Sequence, residues 1–224
     1  MAKVNTNDKE AARKENLEQT VSATEKFYNE NKKTIWGAVC AVVVIGLAVL
    51  AYSKFIYQPK CAEAMQQMFP AEANFQAGEY ELALNGDGNV SGFADVIDEY
   101  GAKAGKAVYF YAGVCEYQLG NYEEAVSYLK KYNGKEPILA ARAEACKGDA
   151  YVGLEDYKSA VAAYENAVKL NDSVFAAGYL VKAGLTYEKL GDKAAALKCY
   201  ETVKDSYPQA IESYDIDKYI ARVK

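Results

Sequence analysis

Hydrophobic and polar positions follow two different rules along this chain. Residues 34–53, TIWGAVCAVVVIGLAVLAYS, carry no charge and leave no polar face, a pattern that predicts a helix apolar all round rather than amphipathic. A bilayer core of about 30 Å takes about 20 apolar residues at 1.5 Å rise each, so this run predicts one membrane-spanning helix. Trp36 near one end and Tyr52 and Tyr57 near the other suit the two interfaces, and Lys32, Lys33, Lys54 and Lys60 can keep their ammonium groups in water.

Ahead of that run, residues 1–33 are rich in Lys, Glu, Asn and Thr and lack a sustained apolar face, which predicts a short leader rather than a domain. Leu17, Val21, Thr24 and Tyr28 recur at helical spacing and extend the helix back into the leader.

After the run the pattern becomes amphipathic and repeats. GVCEYQLGNYEEAVSYL, GDAYVGLEDYKSAVAAY and GLTYEKLGDKAAALKCY share small, aromatic and turn residues in the same places. Their first residues, Gly113, Gly148 and Gly184, lie 35 and 36 apart, and Ala125, Ala160 and Ala196 keep that spacing. A period of this length predicts stacked helical hairpins. The small residues mark close helix crossings, and tyrosines such as Tyr122, Tyr151, Tyr157 and Tyr187 fill the gaps. Leu119-Gly120-Asn121, Leu154-Glu155-Asp156 and Leu190-Gly191-Asp192 read as turns. Gly120 and Gly191 suit a left-handed helix end, and Asn121, Asp156 and Asp192 are candidate caps for the next helix.

Residues 54–105 read as a linker and a degenerate first repeat, with a turn at Gln76–Ala83, a proline inside a helix at Pro70 and a glycine-rich loop over residues 85–89. Asn85, Asp87 and Asn89 alternate as in a calcium loop, but Val96 stands where the closing glutamate belongs, so the loop reads as a plain insertion. Residues 209–224 place Ile216, Tyr219, Ile220 and Val223 on one face and predict a capping helix.

Charge divides the chain as hydropathy does. Residues 1–60 carry nine Lys or Arg against six Asp or Glu, and residues 61–224 carry seventeen against twenty-five. An acidic domain is not drawn to phosphate backbones, so nucleic acid is not an expected partner. Lys26, Lys32 and Lys33, with Lys3, Lys9, Arg13 and Lys14 farther back, outnumber Lys54 and Lys60. By the positive-inside rule the N-terminus is expected in the cytoplasm. An uncleaved signal anchor is the expectation, with a cut after the small residues near Ala51 as its rival.

Histidine is absent, which removes the commonest general base and the usual zinc ligand. Neither an enzyme, a cofactor nor a metal is expected. A carboxylate cluster such as Asp95, Asp98 and Glu99 would be the best support for an enzyme, and these residues read as a solvated helix face. Cys40, Cys61, Cys115, Cys146 and Cys199 show no metal or redox spacing and read as small apolar residues. A Cys115–Cys146 disulfide stays open.

At the repeated residues the chain resembles the tetratricopeptide repeat (TPR) family, with segments over 106–140, 141–176 and 177–208. The expected fold class is all-α: a single transmembrane helix, a TPR solenoid and a C-terminal capping helix. Pro137 and Pro208 match the family's closing proline, and Asp172 replaces it in the middle repeat. Further departures are Glu116 and Lys193 where an aromatic is usual, and Glu155 where the turn usually has glycine. The resemblance implies that the first helix of each hairpin lines a concave protein-binding groove. The positions facing it would be Ala107, Phe110, Val114, Tyr117 and Gln118, then Arg142, Ala145, Asp149, Val152 and Gly153, then Gly178, Val181, Leu185, Glu188 and Lys189. A capping helix folded into that groove is the alternative.

The layout of leader, anchor and repeats resembles the ancillary TPR subunits of the bacterial SecYEG translocon. It implies a scaffold at the outer face of the inner membrane, with translocon subunits, periplasmic chaperones or exported chains as partners. A cell-envelope scaffold of the outer-membrane-assembly or TolA-binding kind is the second expectation.

Overall fold

The computed structural model describes the backbone over residues 6–224, with side chains at Arg13, at 21–22 and from Thr24 onward. Lys3 and the side chains of Lys9, Lys14 and Leu17 lie outside the described residues. The chain divides into two compact units, Met1–Gln58 and Pro59–Lys224.

The first unit is helix α1, Thr6–Tyr52, followed by a wider turn of π-helix at Ser53–Tyr57. Residues 34–53 lie within this helical stretch, and their apolar side chains face outward on every side, with Val42, Leu47 and Leu50 all more than 60% exposed. Among the described residues one helix is long and apolar enough to cross a membrane, and it includes this run. Trp36 Nε1 donates to the Tyr28 hydroxyl two turns back at 3.1 Å, which ties the leader's aromatic to the start of the apolar run.

Among the described residues of the second unit the regular elements are all helices. Three hairpins form its body: α5 (Ala107–Gln118) with α6 (Tyr122–Lys131), α7 (Pro137–Gly153) with α8 (Tyr157–Leu170), and α9 (Ala176–Lys189) with α10 (Lys193–Ser206). Ahead of them come α2 (Gln58–Ala77), α3 (Tyr80–Asn85) and α4 (Phe93–Tyr100), and after them α11 (Ile216–Val223).

The three turns share one hydrogen-bond pattern. Asn121 N–H donates to Glu116 O, Asp156 N–H to Tyr151 O and Asp192 N–H to Tyr187 O, each at 2.9 Å. This is the six-to-one bond of a helix closed by a left-handed residue. Gly120 (φ 84°) and Gly191 (φ 78°) supply that residue in two turns, and Glu155 (φ 58°) supplies it in the middle one.

Two of the three expected caps form. Asp156 accepts from Ser159 N–H at 3.2 Å, and Asp192 accepts from Ala195 N–H at 2.9 Å. Asn121 departs from the expectation: its Nδ2 donates to Glu116 Oε2 at 2.8 Å, and its side chain accepts no helix N–H. The reason is local. Glu116 is buried where the other two repeats have Tyr151 and Tyr187, and a buried carboxylate needs a donor more than a helix end does.

Close helix crossing is set by one recurring contact. Gly113, Gly148 and Gly184 each face the side chain sixteen residues on: Leu129, Tyr164 and Tyr200. Tyr164 and Tyr200 are almost wholly buried, and burial of an aromatic this size contributes about 2–3 kcal/mol. The core built on these contacts runs from Ala141 and Tyr164 through Tyr200 and Val203 to Ile216, Ile220 and Val223. A second core joins α2 to α5 through Ala64, Met68, Leu84, Phe93, Val96 and Val108.

Helix α2 runs through Pro70, and the hairpin it opens is cut short because α3 has six residues. In the loop after α3, Asp87 Oδ1 accepts from Asn89 and Val90 N–H at 2.9 Å, so its carboxylate is engaged in the turn itself. Asp95 accepts from Gly92 N–H and closes the N-terminus of α4, while Asp98 and Glu99 are exposed. Among the described residues no cluster of metal ligands forms, and all five cysteines are free thiols.

Candidate protein-interaction groove

Consecutive first helices leave a hollow of about 390 Å³ between their facing side chains. Helix α5 contributes Phe110, Tyr111 and Val114, α7 contributes Leu139, Arg142, Ala145, Cys146 and Asp149, and α9 contributes Tyr179 and Lys182. Phe75, near the end of α2, closes one end.

That end is built from aromatic rings. Phe75 meets Tyr111 edge-on at 5.2 Å, Tyr111 stacks on Phe93 at 5.4 Å, and Phe110 leans on Tyr111 at 5.7 Å. Such interlocked rings hold a fixed apolar wall, because offset and edge-on contacts add to their area burial.

The other end is charged and hydrogen-bonded. Asp149 accepts from Lys182 Nζ at 2.7 Å and from the Tyr164 hydroxyl at 2.7 Å. The Tyr164 ring comes from α8 and passes over Gly148, so its hydroxyl reaches the groove side where Asp149 stands. Burial and the Asp149 carboxylate hold the Tyr164 hydroxyl well above the usual tyrosine range. The Cys146 thiol is pushed up to about 12, first by burial and then by Asp149, with Lys182 opposing.

Arg142 differs from Lys182. It is exposed, and among the described residues lining the groove it is the cation without a carboxylate partner.

A related arrangement closes the last hairpin. The Tyr200 hydroxyl donates to Glu188 Oε1 at 2.5 Å, and Arg222 Nη2 of α11 donates to the same oxygen at 2.6 Å. In both places a second-helix tyrosine and a cation from the next first-position helix converge on one carboxylate, so α11 stands where a further first helix would begin. Its buried face, Ile216, Ile220 and Val223, packs into the core with Val203. Among the described residues none of 209–224 lines the groove, so the capping helix does not fill it.

Of the positions expected to face the groove, Phe110, Val114, Arg142, Ala145 and Asp149 come together in it. The rest lie elsewhere. Tyr117 packs beside Tyr122 at 6.0 Å against the Ala125 and Ala150 core, and Gln118 and Val152 are exposed outside the hollow. Val181 packs against the α7–α11 core. Leu185 and Glu188 border a separate hollow with Lys189 and Arg222. Phe75, Tyr111, Leu139, Cys146, Tyr179 and Lys182 line the groove without having been expected there. Tyr111 and Lys182 are chain neighbours of expected positions, so a turn of about 100° in helix phase would have found them.

The fold and groove define a stack of helical hairpins whose first helices line a shared hollow. Tetratricopeptide repeat models match residues 107–137 and 147–211. Solved structures that share the fold include two of MamA. One is a crystal structure of MamA protein, with a TM-score of 0.56 and 19% identity over 72% of this chain and 87% of that one. A second crystal structure of MamA gives 0.53 and 20% identity over 68% and 91%. No curated protein matches the chain. The chain therefore carries TPR repeats, a class of module that binds protein partners.

Proposed function

We propose that this chain is a non-catalytic scaffold that binds a protein segment in the α5–α7–α9 groove while residues 34–53 hold it at a membrane. The observation that carries the reading is the groove itself: an aromatic wall beside an uncompensated Arg142, left open by the chain's own C-terminal helix. Solenoids of this kind use such concave surfaces for partners.

The location is part of the same proposal. A basic leader, an apolar run of full spanning length and an acidic repeat unit favour an N-terminus in the cytoplasm and repeats at the outer face of a bacterial inner membrane. On that layout the partners are translocon subunits, periplasmic chaperones or exported chains.

Photo-crosslinking amino acids at Tyr111 and Val114 of the full chain, in intact membranes, test the groove. Capture of a discrete partner is expected. Crosslinks confined to the chain's own residues 209–224 would remove the proposal. Purification in mild detergent then assigns the partner: translocon subunits support the export reading, and outer-membrane assembly or TolA-associated proteins replace it with an envelope scaffold.

A further inference from the structure

The groove is split into an apolar end and an end with one free positive charge, and this division constrains what it takes. Lys182 is neutralised by Asp149, and the remaining capacity of Asp149 is used by the Tyr164 hydroxyl. That pair has little left to offer a ligand. Arg142 has its guanidinium exposed at the groove with no carboxylate partner among the described residues, in a unit where residues 61–224 carry eight more acidic than basic side chains. An acidic ligand is repelled over most of this surface and attracted at Arg142, so the charge acts on selectivity and register.

Leu139 lies three residues before Arg142 on α7, one turn toward the wall formed by Phe75 and Phe110. The rise between them is about 4.5 Å, which an extended peptide covers in one to two residues. A hollow of about 390 Å³ has room for a short segment rather than a domain.

Resting on the groove reading above, we propose that the groove recognises an internal, extended stretch of a partner chain in which a bulky apolar side chain is followed within about two residues by an Asp or Glu. The apolar side chain seats against Phe75, Phe110 and Leu139, and the carboxylate pairs with Arg142. A chain terminus is not the preferred ligand. The groove offers no second unpaired cation beside Arg142, among its described residues, to hold a terminal carboxylate together with a side-chain one.

The test uses the full chain in nanodiscs and a fluorescein-labelled, C-terminally amidated probe, GSFGEGS, read by anisotropy. Replacing its Glu by Lys, or its Phe by Ala, is expected to weaken binding by about tenfold each. Arg142→Glu should reverse the preference between the Glu and Lys probes, and Arg142→Lys should keep it in weakened form. Because Arg142 is exposed, these variants should melt as the wild type does, and thermal denaturation checks this. Equal binding of the Glu and Lys probes overturns the proposal, as does an unchanged preference in Arg142→Glu, binding only of probes with a free C-terminus, or no binding of any probe. If crosslinkers in the groove still capture a cellular partner in those cases, the groove reading stands and only the acidic-apolar preference is lost.

Discussion

A methyl group on Gly184 would stand 2.4 Å from Cε1 of the Tyr200 ring. In an ordinary helix interior, alanine is favoured over glycine by about 1 kcal/mol. Here the sign should reverse, because Tyr200 is fully buried, its hydroxyl is held by Glu188, and the ring cannot yield without moving α10 from α9. Gly184→Ala is expected to destabilise the second unit by about 1–3 kcal/mol in urea denaturation. Gly113→Ala meets the more compliant side chain of Leu129 at 2.6 Å and should cost less.

Glu155 supplies a left-handed residue where the neighbouring turns use Gly120 and Gly191. A side chain in that conformation costs about 1–2 kcal/mol relative to glycine. The Glu155 side chain is exposed and makes no hydrogen bond or ion pair among the described residues, so nothing offsets the strain. Glu155→Gly should raise stability by about 0.5–1 kcal/mol once the greater freedom of glycine in the unfolded chain is deducted. Gly191→Ala should lower it, and the pair of thermal melts checks both signs.

The hairpins are legible in the sequence because each depends on the same contact, a glycine facing a large residue sixteen positions on, and such a constraint leaves a period. The groove is legible only where it follows that period. Phe110, Ala145, Val114 and Asp149 are related by the 35-residue repeat and meet in the hollow. Phe75 also stands 35 residues before Phe110, but its repeat is degenerate, with a second helix of six residues and Ala83 lying 42 rather than 35 residues before Ala125, so groove positions are read only from the three later repeats. Tyr179 and Lys182 replace Val181 because α9 turns that side chain into the core. Asn121 shows the limit of local rules: its sequence position is a helix cap, and a buried glutamate five residues earlier claims it.

The cysteines give a chemical check on burial. Cys115 and Cys146 are each pushed up to about 12 and Cys199 to about 11, in every case chiefly by burial. At pH 8 a thiol at 12 is ionised in roughly one molecule in ten thousand, and only the thiolate attacks a disulfide reagent. In the native chain these three should react with Ellman's reagent far more slowly than Cys61, and guanidinium should bring them to its rate. Mass mapping of the modified peptides distinguishes the sites.

Arg222 and Glu188 give α11 a pH-dependent hold on the last hairpin. Burial works against the Glu188 charge, but the hydrogen bonds from Arg222 and from Tyr200 outweigh it and hold the carboxyl below its ordinary value of 4.5. A carboxyl lowered on folding contributes its stability above the unfolded value and loses it as pH falls through the folded one. The contribution should therefore be complete above about pH 5 and fade on acidification below 4.5. The guanidinium is half exposed, so solvent screening limits the pair to about 0.5 kcal/mol. Arg222→Ala should accelerate amide exchange in α11 at pH 7 more than elsewhere in the second unit. The difference from the wild type should shrink between pH 5 and pH 3, and raising salt at pH 7 should shrink it in the same direction. A difference that stays constant over that pH range would mean that α11 is held by Ile216, Ile220 and Val223 alone.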